Sequence, residues 1–304
     1  MATIAFIGLG IMGEPMAGHL VADGQDVIGV NRGPEAVERL VARGGRRGSG
    51  IAEAVSEAEV VITMLPDSPD VQGVAYGEDG IYANAKSGTL HIDCSSIRPD
   101  VARELAAGGA EHGVRVVDAP VSGGQPGAVE ATLSIMVGGD DADVEAAWSL
   151  LELMGKTVVH VGPAGSGQTV KAANQLLVAG HLALLAEAIV YLQAQDVDTT
   201  AAMTVLGGGL AGSTVLDRKA KAMLEHTFAP GFRVDLHHKD LGIFTSSARE
   251  AGVATPMGAQ VAQLMGSLRA QGHGDLDHSA LLLLVESLSG RASTGAGTST
   301  SDGA

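Results

Sequence analysis

The chain has 304 residues, a net charge of −16 and 45% hydrophobic residues, which predicts a globular protein with room for two domains. The negative charge argues against nucleic acid or an anionic membrane as a partner, but a local basic pocket still allows a small anionic substrate. The single cysteine, Cys94, excludes an internal disulfide and a cysteine-cluster metal site. We expect a cytoplasmic protein with no required metal.

The first 23 residues carry a glycine motif between an apolar run and a helical stretch. Ile4–Ile7 predicts a buried strand that begins too early to leave room for a signal peptide. The pattern G-x-G-x-x-G follows it, and the helical stretch starts at Met12. This order predicts a dinucleotide site, with phosphates at the helix N-terminus, whereas the alternative is an ordinary glycine-rich turn. The residues expected at the cofactor are Gly8, Gly10, Ile11, Met12 and Gly13.

Up to about Gly162, short apolar runs alternate with helical stretches. This alternation predicts an α/β fold, a Rossmann-type doubly wound parallel sheet, whose last strands add an antiparallel or mixed edge. The predicted strands are Thr3–Ile7, Asp26–Val30, Val60–Leu65, Thr89–Asp93, Arg115–Asp118, Leu133–Val137 and Val158–Val161. The predicted helices between them include Pro34–Ala42, Pro99–His112 and Asp141–Met154.

After Gly162 the strand signals stop, which predicts an all-α second half. Gly165–Ala194 predicts one helix of roughly 40 Å. Its stretch Leu176–Leu192 is apolar, but it carries His181 and Glu187 and is slightly short for a membrane span, so we interpret it as a buried helix. The other predicted helices are Thr199–Leu206, Ser213–Leu224, Val234–Ala251, Pro256–Gln271 and His278–Ser289. The predicted domains are residues 1–162, residues 163–290 and a disordered tail at 291–304.

The end of the second predicted strand indicates which nicotinamide cofactor binds. An acidic residue at this position holds the ribose 2′-hydroxyl of NAD and repels a 2′-phosphate. This chain has Asn31 and Arg32 there instead. Arg32 can form a charge-assisted hydrogen bond to a 2′-phosphate, and Asn31 can add a donor. The sequence therefore favours NADP(H), with NAD(H) possible if Arg32 only covers the adenine.

Four further segments combine polar residues with glycine turns: Asp118–Gly124, Gly165–Asn174, Gly208–Ser213 and Phe232–Leu241. Together with GLGIMGEPMAGHL, they closely resemble the β-hydroxyacid dehydrogenase family over roughly Thr3 to Ser289. The resemblance implies a Rossmann domain before a helical domain, with the active site in the cleft between them. Two minor departures are His19, where Asn is common, and Ser96, where Thr is common.

Lys171 is the candidate catalytic acid. A hydride acceptor needs a polarised carbonyl and a proton on its oxygen, and a partly desolvated lysine can supply both. The resemblance implies this role, and the alternative is a solvated helix lysine. Asn174 and Gln175 share its helix face and could orient the ammonium or bind substrate oxygen. For Asn174 the alternative is a buried hydrogen bond between helices.

Three other groups complete the predicted site. Ser122, Gly123 and Gly124 offer a hydroxyl and backbone N–H groups that could bind a substrate carboxylate, unless they form a plain turn. By resemblance, Lys239 reaches the nicotinamide or substrate end of the cleft, with a surface lysine as the alternative. The resemblance also places Met64, Leu65, Pro66 and Ser96 along the cofactor, where strand-end packing and capping are the alternatives.

The resemblance implies NADPH-dependent reduction of a short anionic semialdehyde, and within the family the segments look most like enzymes that reduce tartronate semialdehyde to D-glycerate. The first alternative is oxidation of 3-hydroxyisobutyrate or a related hydroxyacid, because such substrates differ by contacts worth only ~1–3 kcal/mol each. An alternative of another class is a non-catalytic nucleotide-binding module. The apolar helical half predicts a homodimer or homotetramer.

Overall fold

The computed structural model describes residues 1–291 and contains one sheet of nine strands. The strands are β1 Thr3–Ile7, β2 Asp26–Val30, β3 Arg46–Arg47, β4 Val60–Thr63, β5 Leu90–Asp93, β6 Arg115–Asp118, β7 Val121–Ser122, β8 Leu133–Gly138 and β9 Gly155–Gly162. Their order is β3-β2-β1-β4-β5-β6-β8-β7, with β9 also paired to β8. The first six strands in this order run parallel, whereas β8 is antiparallel to β6 and β7. The predicted doubly wound sheet with a mixed edge is therefore confirmed.

Fourteen α-helices lie in the described part of the chain. In the first half they are α1 Gly13–Ala22, α2 Pro34–Ala42, α3 Ile51–Glu57, α4 Ser68–Tyr76, α5 Ile81–Asn84, α6 Pro99–Glu111, α7 Gly124–Val129 and α8 Asp141–Glu152. The others are α9 Ser166–Ala194, α10 Thr199–Gly207, α11 Thr214–Leu224, α12 Val234–Glu250, α13 Pro256–Leu268 and α14 Leu281–Leu288.

Helices cover both faces of the sheet, which explains why its central strands are apolar without alternation. Side chains of a strand alternate between faces, so Ile4 and Phe6 enter one core while Ala5 and Ile7 enter the other. The first core also contains Leu20 of α1, and α3, α4 and α6 supply the second. Burial on both sides holds the strand ends, and the loops after them, in place.

The strand order reverses direction beside β1, because β1 pairs with β2 on one side and with β4 on the other. Chain connections leave this point in opposite directions, so a crevice opens at the carboxyl ends of β1 and β4. The glycine motif follows β1, and Met64 follows β4. The fold thus places two of the predicted cofactor segments at the position where open α/β sheets bind ligands.

Most predicted elements occur with ends shifted by a few residues, and the exceptions have physical reasons. The predicted strand Val60–Leu65 was too long, because the Leu65 N–H bonds to the Ser95 hydroxyl instead of a neighbouring strand. The predicted helix Pro256–Gln271 ends at Leu268 and continues as one wider turn. The two-residue strands β3 and β7 were missed, since two residues carry no periodic signal.

The described residues form two compact units, Met1–Asn174 and Gln175–Ala304, the second described to residue 291. The second unit is helical, and its core includes residues of α9, α11, α12, α13 and α14. Apart from Arg291, the predicted tail lies outside the described residues. By length and composition alone α9 could cross a membrane, but 44% of its apolar window is buried, and a core helix passes the same test.

Candidate active site

The loop after β1 has the geometry of a phosphate cradle. Gly8 has a φ of +99°, and a Cβ there would overlap the Met64 carbonyl oxygen. A Cβ on Gly13 would overlap the Gly8 carbonyl oxygen, so α1 starts in close contact with the loop. A Cβ on Gly10, in contrast, would meet no atom of the described residues within 4 Å. Gly10 therefore borders open space that a pyrophosphate can occupy.

Charges near this loop also suit an anion. Met12 occupies the N-cap position of α1, so this helix end presents backbone N–H groups and a partial positive charge. Glu14 in the first turn would repel phosphate, but it is paired with Arg39 at 2.9 Å and Arg43 at 3.2 Å. The acidic group is therefore neutralised where an anion would bind.

The end of β2 combines a structural amide with an accessible cation. The Asn31 side chain accepts a hydrogen bond from the Leu9 N–H at 3.0 Å and donates one to the Gly33 carbonyl at 3.0 Å. It thus connects the phosphate loop to the chain beyond β2. Arg32 is exposed, and within residues 1–291 no ion pair involves it.

The ends of β4 and β5 are held together by Ser95. Its hydroxyl accepts a hydrogen bond from the Leu65 N–H at 2.9 Å, and its own N–H donates to Asp93 at 3.2 Å. These bonds fix the segment Met64–Pro66 beside the segment that contains Ser96. The two segments predicted to line the cofactor therefore form one connected rim.

A buried polar cluster lies directly below this rim. The Thr63 hydroxyl donates to Asp93 at 2.7 Å and lies 3.0 Å from Nε2 of His91. Burial raises the pKa of Asp93 to about 6, although bonds from Ser95 and Thr63 oppose the shift. Burial lowers the pKa of His91 to about 4, so this imidazole is neutral and donates from Nε2. Cys94 is buried in the same region.

Asp118 at the end of β6 fixes the start of α9. Its carboxylate accepts hydrogen bonds from the Gly165 N–H at 2.7 Å and the Gln168 N–H at 2.9 Å. The helix approaches the sheet so closely that a Cβ on Gly167 would overlap the Met136 carbonyl oxygen. Burial raises the pKa of Asp118, while the backbone bonds favour its charged form.

One turn further along α9, Lys171 is buried with 8% of its surface exposed. Its Nζ donates a hydrogen bond to the Val121 carbonyl oxygen at 2.8 Å. This carbonyl directly precedes Ser122 and the turn at Gly123 and Gly124, where φ values of +142° and +64° require glycine. The burial does not fit a solvated helix lysine, and the structure brings Lys171 together with the predicted carboxylate-binding turn. Asn174 is half-buried on the same helix.

In the second unit, α12 holds Gln175 at two points. Nε2 of Gln175 donates to Asp240 at 2.6 Å, and the Gln175 carbonyl lies 3.0 Å from Nε2 of His237. Asp240 is also 2.9 Å from the Lys239 ammonium, so this predicted site lysine belongs to an ion pair and is mostly covered. The amide of Gln175 is thus engaged in helix packing.

A second polar network lies behind α12. Nδ1 of His278 is 2.9 Å from Nδ1 of His237, so one of the two nitrogens carries the shared hydrogen. Asp277 accepts hydrogen bonds from Lys219 at 2.8 Å and from the Ser279 hydroxyl at 2.6 Å. Burial opposes ionisation of Asp277, but His278 and Lys219 outweigh it and hold its pKa below the usual range.

Several functional candidates were missed from the sequence. Gln168 and Asp118 stood in segments that were singled out, but their contacts join positions 50 or more residues apart, as does the contact of Asp277 with Lys219. Sequence spacing alone contains no signal for such pairs. The one available signal was that Gln168 lies three residues before Lys171, which places both on the same face of the helix. Within residues 1–291, no group of three or more His, Cys, Asp or Glu side chains could hold a metal.

Comparison with known families identifies this architecture. The family profile of the NAD-binding domain of 6-phosphogluconate dehydrogenase matches residues 3–162. The profile of the NAD-binding region of NADP-dependent 3-hydroxyisobutyrate dehydrogenase matches residues 165–285. The chain belongs to the β-hydroxyacid dehydrogenase family. This β-hydroxyacid dehydrogenase is therefore an NAD(P)-dependent oxidoreductase that acts on hydroxyl groups.

Relatives of this dehydrogenase differ in substrate. The 2-hydroxy-3-oxopropionate reductase of Escherichia coli K12 is 40% identical over 93% of this chain and 97% of its own length. The NAD-dependent L-serine dehydrogenase of Pseudomonas aeruginosa is 36% identical over 96% and 100%. The structure of Mycobacterium tuberculosis 3-hydroxyisobutyrate dehydrogenase with L-serine has a TM-score of 0.84 and 36% identity, over 93% and 98%. All three names describe small hydroxyacid chemistry.

The residues of this dehydrogenase fit a nicotinamide dinucleotide. The open space at Gly10 and the amide-bearing start of α1 suit the pyrophosphate, and the Asn31 bond fixes the loop that would contact it. The buried lysine beside a glycine turn suits the transfer of a proton to a carbonyl oxygen.

Proposed function

We propose that this enzyme reduces tartronate semialdehyde to D-glycerate with NADPH. The observation that carries the proposal is the buried Lys171, with Nζ 2.8 Å from the carbonyl that precedes the Ser122–Gly124 turn. This arrangement joins a proton donor to a group of backbone N–H donors that suits a substrate carboxylate. The 40% identity to 2-hydroxy-3-oxopropionate reductase supports the choice of substrate.

The proposed reaction assigns roles to the residues predicted to bind the substrate or transfer a proton. Ser122, Gly123 and Gly124 bind the carboxylate, and Lys171 donates a proton to the aldehyde oxygen. An ammonium has three N–H donors, one of which points at the Val121 carbonyl and holds the lysine in place. When bound, a nicotinamide would supply the hydride that the carbonyl carbon accepts. We propose that Asn174, rather than Gln175, binds the substrate hydroxyl. The Gln175 amide already donates to Asp240 and so holds α9 against α12.

The cofactor preference is proposed from the arginines after β2. Arg39, Arg43, Arg46 and Arg47 each pair with an acidic side chain. Arg32 differs, because no ion pair within the described chain involves it, so it is available to a ribose 2′-phosphate. Lys239 is proposed to contact the cofactor as well, steadied by Asp240. Changing Arg32→Ala should shrink the ratio of kcat/KM for NADPH to that for NADH by about tenfold to a hundredfold, since a hydrogen bond to a charged group contributes about 1.5–3 kcal/mol.

A substrate panel tests the proposal. Initial rates with tartronate, succinate and methylmalonate semialdehydes, each with NADPH and NADH, should give the highest kcat/KM for tartronate semialdehyde with NADPH. A site that bonds a substrate hydroxyl strongly rejects analogues that lack it. A higher kcat/KM for a semialdehyde without the hydroxyl would refute the substrate, and equal use of NADH would refute the cofactor preference.

The second candidate function is oxidation of a 3-hydroxyacid such as 3-hydroxyisobutyrate or L-serine. It is supported by the 36% identity to the Mycobacterium tuberculosis enzyme over nearly the whole chain. The same residues serve this direction, with neutral Lys171 accepting the hydroxyl proton. Oxidation assays with both hydroxyacids belong in the same panel, and a kcat/KM above that for tartronate semialdehyde would make this the assigned function.

We further infer that the enzyme is a homodimer or homotetramer, with α9 in the interface. Leu177, Leu184 and Tyr191 recur every seven residues and are 61%, 60% and 64% exposed. The small Gly180 lies between Leu177 and Leu184. If α9 of a second copy packs antiparallel to this helix, Leu177 of each copy could contact Leu184 of the other across a two-fold axis. Light scattering after gel filtration should show an oligomer that Leu184→Glu dissociates and Leu288→Glu, at an exposed position of α14, does not. A monomeric wild type would refute the inference.

A further inference from the structure

Gln168 makes a two-point connection between α9 and the rim of the proposed cofactor site. Its buried side chain donates from Nε2 to the Ser95 carbonyl at 2.8 Å and accepts at Oε1 from the Ile97 N–H at 3.1 Å. These two backbone groups lie on either side of Ser96. A primary amide bonded in this way fixes the orientation of the residue between them.

The amide is attached to a rigid support. The Gln168 N–H donates to Asp118 at 2.9 Å, and Gly165 is bonded to the same carboxylate. Because α9 is packed against the sheet without space for a side chain at Gly167, its first turn cannot shift easily. Gln168 therefore transmits the position of the helix to the rim rather than adapting to it.

Lys171 follows Gln168 by three residues and shares its helix face. Nζ of Lys171 is fixed to the Val121 carbonyl, while Ser95 extends the connection to the Leu65 N–H. A single helical turn thus links the proposed proton donor to both segments proposed to lie along the nicotinamide. A misplacement of about 1 Å between such groups can reduce a rate about 10²-fold.

We propose that Gln168 is a positioning residue for hydride transfer, which keeps the Ser95–Ile97 segment in register with Lys171. The inference rests on the proposed function for the location of the nicotinamide. It does not depend on which hydroxyacid or semialdehyde is the substrate. The proposed pyrophosphate and ribose contacts are at Gly8–Gly13 and Arg32, and Gln168 bonds to neither segment, so cofactor affinity and turnover should respond differently to its loss.

The test variant is Gln168→Met, which keeps the length of the side chain and removes both hydrogen bonds. We expect kcat to fall tenfold to a hundredfold, the Kd for NADPH to stay within threefold, and the isotope effect with 4,4-dideuterated NADPH to increase as hydride transfer becomes rate-limiting. The matched control is Thr169→Val, because Thr169 is exposed and its hydroxyl bonds only within the helix turn, to Gly165. This control should keep the wild-type kcat and isotope effect.

A folded Gln168→Met enzyme with wild-type kcat, or with losses of kcat and NADPH affinity of equal size, would overturn the proposal. If this variant does not fold, Gln168→Glu keeps an acceptor for Ile97 but turns a carboxylate oxygen towards the Ser95 carbonyl. It should show the same loss of kcat, and wild-type kcat would again overturn the inference. If the wild type is inactive on tartronate semialdehyde, the substrate assignment has failed. The variants are then compared during oxidation of L-serine or 3-hydroxyisobutyrate, with the isotope effect measured from deuterium on the hydroxyl-bearing carbon of the substrate and the Kd measured for NADP+.

Discussion

The two units of this dehydrogenase handle polar groups in opposite ways. The first unit builds its phosphate cradle from glycines and backbone N–H groups. Beneath the rim it contains the buried Asp93, and this burial raises the pKa of the carboxyl to about 6. In the second unit, burial opposes ionisation of Asp277, but His278, the Lys219 ammonium and the Ser279 hydroxyl outweigh it, so the pKa of this carboxyl lies below its usual range. A carboxyl of similar burial thus destabilises one unit and stabilises the other, depending on its partners.

Substitutions in the first unit should have their largest effect on turnover. Lys171→Met keeps the aliphatic stem in its buried position and removes the proton donor. Loss of a positioned acid typically costs ~10²–10⁴-fold in rate, so kcat should fall by that factor while NADPH titration gives an unchanged Kd. Lys156→Ala, at an exposed lysine, is the control. Near-normal turnover in folded Lys171→Met would remove the lysine from the mechanism.

Substitutions in the second unit should have their largest effect on the free energy of unfolding. Asp277→Asn removes a buried charge that Lys219 and several N–H donors face, and breaking a buried pair costs about 3–5 kcal/mol. Denaturant unfolding at neutral pH should show this loss. Because the pKa of Asp277 is lowered, its stabilisation exists above the unfolded pKa and disappears in acid, where the two proteins should converge.

The control for this measurement lies two residues away. Asp275 pairs with Arg233 at 3.4 Å, but its side chain is 91% exposed. Asp275→Asn should change the free energy of unfolding by less than about 1 kcal/mol, as is usual for surface ion pairs. Equal losses of unfolding free energy in the two variants would mean that the buried network around Asp277 stabilises the fold no more than an exposed ion pair does.

The same contrast explains what could be predicted from the sequence. The cradle and the sheet were predictable, because glycine spacing, apolar runs and helix starts such as Pro34 are local signals. The alternation of strands and helices predicted the doubly wound parallel sheet, whereas the strand order at β1 came from the structure. The pairs Gln168 with Ser95 and Asp277 with Lys219 were not predictable, since they join residues 73 and 58 positions apart. Which buried polar group meets which depends on packing that no local pattern encodes.

Asp93 should make stability fall as the pH rises. Its pKa is raised from 3.8 to about 6, so between these values the folded protein retains a proton that the unfolded chain has lost. A shift of two pKa units corresponds to about 3 kcal/mol, which is lost as the pH rises through 6. Asp93→Asn keeps the acceptor for Thr63 and Ser95, and its free energy of unfolding should lack this decline. The exposed Asp79→Asn should show the wild-type profile, and an identical profile for Asp93→Asn would contradict the assignment.

The smallest effect concerns the glycines of the cradle, and it separates binding from folding. Gly10 borders open space and Gly13 touches the Gly8 carbonyl, so a methyl group at each position should act differently. Gly10→Ala should keep the wild-type melting temperature but weaken NADPH binding about tenfold to a hundredfold, because the methyl group keeps a phosphate oxygen from one N–H donor worth about 1.5–3 kcal/mol. Gly13→Ala should lower the melting temperature, because α1 must move away from the loop. Calorimetric NADPH titration and thermal unfolding of both variants measure the two effects. Unchanged NADPH affinity in Gly10→Ala would show that the pyrophosphate does not lie at this loop, and the cradle would then be a feature of packing alone.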